Sequence, residues 1–81
     1  MNLQDILDAV VDEKSFLALV KALESDWHEN ENEWENVTIP AFLESAVAWA
    51  EDMGEGNETY KKSENPWARA AHILYAGKFY E

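Results

Sequence analysis

The chain contains no cysteine, and among its 81 residues only two are proline and three are glycine. Without cysteine there is no disulfide framework and no zinc–thiolate centre. Apolar packing must hold the fold, and four tryptophans, three tyrosines and three phenylalanines are the material for it. Long apolar runs are missing too: none approaches the ~20 residues needed to span a bilayer. The opening MNLQDILDAVVDE has no basic segment, and acids interrupt its apolar residues, so no secretory leader is expected. The glycosylation patterns at Asn36-Val37-Thr38 and Asn57-Glu58-Thr59 are therefore read as chance, and a cytoplasmic protein is expected.

Positive charge is also scarce. Seventeen acids face six bases, for a formal net charge of −11. Such a surface repels phosphate backbones and anionic lipids, which argues against nucleic-acid and membrane partners. It suits a basic protein partner, or serves solubility alone.

What is present reads as helices. Eighty-one residues make one domain, since two independent cores need a longer chain. Residues Trp34 to Asp52 hold the most strongly specified element. Thr38 is placed to cap a helix and Pro40 falls in its first turn, where a missing N–H costs nothing. Ile39, Phe42, Leu43, Ala46, Val47, Trp49, Ala50 and Met53 gather into one arc roughly 160° wide at 100° per residue. We expect this helix to be central and its arc buried, with Gly54 ending it in a left-handed conformation.

Three more helices are expected around it. Asn2 and Asp5 resemble a cap before Leu3, Ile6, Leu7 and Val10, predicting a short helix over 3–11. Asp12 is the next N-cap, and Phe16, Leu19, Val20, Leu23 and Trp27 share one face of a helix running from 13 to near 29. Residues 28–36 form an acidic connection whose Trp34 is expected to tuck onto the core. Residues 54–64 form a hydrophilic loop. Asn65-Pro66 opens the last helix, with Trp67, Ala70, Ala71, Leu74 and Tyr75 inward and Arg69 and His72 outward. Gly77 is its expected C-cap, and Phe79 and Tyr80 should fold back as an apolar tail. No alternating strand pattern occurs. The fold class is all-α, a compact four-helix single domain over 1–81.

Sites of chemistry are sparse. Glu24, His28 and Glu31 share a stripe, but di-iron bundles need Glu-x-x-His pairs on two helices, and His72 has Arg69 three residues before it. Glu44 and Glu51 share a solvated face, where acid–base work has no pocket to drive their pKa values apart. Gly54-Glu55-Gly56-Asn57 lacks the lysine and glycine spacing of a phosphate loop. No catalytic residue, metal or cofactor is expected.

Trp34-Glu35-Asn36, Thr38-Ile39, Ala48-Trp49-Ala50-Glu51-Asp52, Asn65-Pro66-Trp67 and the closing Gly77-Lys78-Phe79-Tyr80-Glu81 together resemble a family of small bacterial domains of unknown function. That resemblance implies a bacterial, stand-alone cytoplasmic domain and supplies no site residue. Pro40 and the short connection before Trp34 depart from the family pattern.

The functional expectation is a non-enzymatic binding or regulatory module that meets a basic protein, an acidic inhibitor being one form. Glu29, Glu31, Glu33, Trp34, Glu35 and Tyr60 are the candidate partner-binding residues, aromatics amid carboxylates being good hot spots. The competing expectation is a small-molecule or catalytic pocket near Trp49, Trp67 and Tyr75.

Overall fold

A computed structural model describes residues 2–54 and 63–80. Four α-helices follow in order: α1 (Leu3–Asp8), α2 (Glu13–Asn30), α3 (Ile39–Asp52) and α4 (Pro66–Gly77), with a 3-10 turn at Glu31–Glu33. Among the described residues there is no strand. The all-α, four-helix, compact class stands.

Local chemistry sets the helix starts. The Asn2 side chain accepts from the Asp5 N–H, and Thr38 Oγ1 accepts from the Ala41 N–H. Asp12 forms a reciprocal capping box with Ser15: each side chain takes the other's backbone N–H. Asn65 Oδ1 accepts from both Trp67 and Ala68 at 2.9 and 3.2 Å. Pro40 and Pro66 sit in first turns, where no N–H is needed.

One length differs from expectation. α1 ends at Asp8, since the chain must unwind over Ala9 to Val11 before Asp12 can start α2. α2 spans Glu13–Asn30, as its spacing predicts, and the 3-10 turn then takes up part of the acidic connection.

The central element is α4 rather than α3. α4 packs on α1, α2 and α3, whereas α3 packs on α4 alone among the helices. Small residues permit this: Ala71 is fully buried where α4 meets the core, and Ala46 and Ala76 are nearly so. The core proper is Leu7, Val10, Leu19, Leu23, Trp34 and Ala71. With one neighbour, α3 cannot bury its whole arc. Ile39, Leu43 and Val47 are 74%, 52% and 56% exposed.

Other side chains also depart from the expected faces. Arg69 turns inward onto α3: its Nη2 donates to the Ala50 carbonyl at 3.0 Å and its guanidinium lies 5.2 Å from the Trp49 ring centroid. His72 is half-buried, with Nδ1 2.7 Å from the Ala68 carbonyl oxygen. Trp67 is exposed at the edge of α4 and leans on Phe16, ring centroids 5.5 Å apart. Neither Gly54 nor Gly77 has a left-handed φ, so neither ends its helix in the expected way. Gly77 is the last residue of α4, and Lys78 caps it in right-handed helical conformation.

Candidate functional site

The segment after α2 and the tail after α4 build one structure together. Glu35 and Asn36 donate their backbone N–H groups to the Lys78 carbonyl at 3.1 and 3.3 Å. Asn36 Nδ2 donates to the carbonyls of Gly77 and Tyr80 at 3.1 and 3.0 Å. Trp34 is buried at 9% exposure, its indole stacked on Phe42 at 5.9 Å between centroids. Its Nε1 donates to Asp26 Oδ2 at 2.8 Å. Asp26 also accepts from Asn30 and pairs with Lys78 Nζ at 2.8 Å. Burial alone would raise the Asp26 pKa, but the hydrogen bonds from Lys78, Asn30 and Trp34 and the Lys78 charge together hold it below the ordinary 3.8. The Tyr80 hydroxyl donates to Asp52, and that hydrogen bond to a carboxylate raises the phenol's pKa.

This clamp fixes the end of α2 against the start of α3. Trp27 closes the join by donating Nε1–H to the Val37 carbonyl at 3.2 Å. Beyond the join the two helices stay apart: no Cα of α2 lies within 8 Å of one in α3. Between them an open groove of about 500 Å³ is left, within the usual range of roughly 300–1,000 Å³ for ligand pockets. Val20, Leu23 and Trp27 form one wall, Ile39 and Phe42 the other, and Leu74 of α4 contributes between them. Trp34, Asn36, Val37 and Thr38 line it from the connecting segment. Glu24 and His28 are the charged or titratable residues of the lining.

The predicted site residues divide. Glu29, Glu31, Glu33 and Glu35 are all exposed, the first on the last turn of α2 and the others along the connection to α3. Trp34, between two of them, is turned into the core and reaches the groove only as lining. Tyr60 lies outside the described residues. The residues named for an alternative pocket have different neighbours: Trp49 lies under Arg69, Trp67 against Phe16, and Tyr75 edge-on to Phe79 at 5.3 Å. None of the three lines the groove.

Sequence reasoning missed Val20, Val37, Ile39 and Phe42 as site residues. A signal existed. The apolar arc of α3 is roughly 160° wide, whereas a helix with one covered face needs a stripe of about 100°.

Among the described residues no three His, Cys, Asp or Glu side chains are grouped to hold a metal, and no helix is long and apolar enough to cross a membrane. Glu24 and His28 lie at the groove, with the His28 ring edge-on to Trp27 at 5.4 Å. Glu44 and Glu51 are exposed.

Residues 12–81 match the model of a family of unknown function, DUF7660. No curated protein and no solved structure matches the chain.

Proposed function

We propose that the chain, which belongs to that family, is a non-catalytic binding module for a basic protein. One observation carries this reading: an open apolar groove, walled by α2 and α3, in a domain of net charge −11. Exposed apolar surface rimmed by polar groups marks interaction sites in small proteins, because leaving it in water is unfavourable. Trp27 and Ile39 supply the apolar anchors. Glu24 at the groove, with exposed Glu29, Glu31, Glu33 and Glu35 near the join, supplies the field that draws a cationic surface in.

Two further points support binding over catalysis. The lining offers few polar groups, and the Asn36 amide is already committed to Gly77 and Tyr80. Inhibition of a basic toxin or nuclease is a concrete form of such binding. A bacterial setting rests on the sequence resemblance alone.

The test begins with co-purification from the native cell, using wild type and Ile39→Asp as parallel baits. A partner retained by wild type and lost by the variant is the one measured further. Its association rate should fall markedly between about 10 and 150 mM salt, since screening shortens the Debye length to ~8 Å. Replacing Glu29, Glu31, Glu33 and Glu35 with glutamine should reproduce that loss while the domain stays folded. An on-rate indifferent to both salt and the four substitutions removes the basic-partner reading.

A further inference from the structure

We infer that the groove receives a short amphipathic α-helix, apolar on one side and bearing lysine or arginine on the other, which docks between α2 and α3. The inference rests on the binding-module reading and specifies the partner's shape.

The walls decide the shape. Both are helices, whose backbone N–H and C=O groups are mostly satisfied within each helix. The exposed carbonyl at the join, that of Val37, is occupied by Trp27. An extended peptide laid here would find no strand edge to pair with, and its own backbone groups would be dehydrated without partners. A helix arrives with those groups already paired. It needs only side-chain contacts, which is what this lining provides.

The spacing agrees. Ile39, Leu43 and Val47 recur every four residues, so they form one exposed ridge along α3, which meets the groove at Ile39. Leu17 and Val20 are likewise exposed on α2. Ridges of this kind interdigitate with those of a neighbouring helix at about 8–10 Å between axes. α2 and α3 both pack on α4, no Cα of one lies within 8 Å of the other, and the groove occupies the space between them. α3, at 14 residues, is about 21 Å long, which matches a guest of roughly three to four turns.

Charge decides the guest's other side. Glu24 lies in the groove wall on α2, and Glu44 and Glu51 are exposed on α3 outside the lining. A helix seated among them is favoured by cationic flanks. A second copy of this chain is disfavoured, because each brings a net charge of −11 and the same carboxylates.

The test uses three synthetic peptides of about 14 residues, equal in composition and built of leucine, lysine and one proline. The first places leucines at every third or fourth position with the proline in its first turn. The second shuffles the leucines, and the third moves the proline to the middle. Affinity is read by titration at ~150 mM salt, and peptide helicity by circular dichroism. The first peptide should bind at least about tenfold more tightly than the others and gain helicity on binding. Ile39→Asp and, separately, Val20→Asp should abolish the difference. Equal binding of the mid-proline peptide overturns the helical occupant and leaves a basic-partner module intact. Failure of all three peptides even at about 10 mM salt overturns the helical occupant, while the partner's on-rate decides the basic-partner reading separately. A dimer of the free domain that Ile39→Asp dissociates assigns the groove to a second copy and overturns the inference.

Discussion

Gly77 and Phe42 approach so closely that a Cβ on the glycine would lie 2.9 Å from Phe42 Cε1 and 2.9 Å from its carbonyl oxygen. The end of α4 thereby rests directly on the first turn of α3, and Phe42 is held where it can stack on Trp34. Gly77 is thus required by contact rather than by backbone angle.

Gly77→Ala should accordingly destabilise the domain by about 1–3 kcal/mol, as overpacking does. Helix propensity alone would favour alanine by about 1 kcal/mol. The sign of the change in a denaturant melt separates the two. A stabilised variant would show that Phe42 yields without cost.

Asp26 should shape the acid limb of stability. Its folded pKa lies below the ordinary 3.8, so the unfolded state binds its proton first as pH falls. Its contribution is therefore full above the ordinary value and is lost as pH drops through the folded one. Asp26→Asn should flatten the stability profile over that acid range. It should also cost about 1–3 kcal/mol at neutral pH, because the Lys78 charge loses its counter-ion and the Trp34 N–H a charged acceptor. Unfolding midpoints of wild type and variant from neutral to acid pH check both parts, and parallel curves would exclude the role given to Asp26.

The tryptophans should rank differently from their sequence context. Trp34, in an acidic connection, is buried, stacked and hydrogen-bonded, so Trp34→Ala should cost about 3–5 kcal/mol. Trp49, within the apolar arc of α3, is only half-buried and lies beneath Arg69. Trp49→Ala should cost less, about 1–3 kcal/mol. Paired urea melts decide the order, and a larger loss at position 49 would reverse it.

Asn65 both caps α4 and donates Nδ2–H to the Val11 carbonyl at 3.0 Å, tying α4 to the α1–α2 corner. Asn65→Asp keeps the cap oxygen and loses the tie, so it should cost about 0.5–1.5 kcal/mol. Asn65→Gly loses both and should exceed the few tenths expected of a simple cap replacement. If the glycine variant is as stable as wild type, the tie to Val11 contributes nothing.

The helix starts were legible along the chain because capping acts within three residues. Asn2, Asp12, Thr38 and Asn65 each take a backbone N–H two or three positions on, and such hydrogen bonds depend on nothing distant. The helical class followed from spacing for the same reason. What only the tertiary structure decided is which faces are covered. An apolar arc states a preference for burial, but burial requires a neighbour, and α3 has one where the width of its arc would serve two. Arg69 went inward because α3 presents it with an aromatic ring and a carbonyl near the helix end. Asn36 and Gly77 stand 41 residues apart, and no local rule pairs them. Their meeting ties the connection between α2 and α3 to the end of α4, beside the open apolar groove.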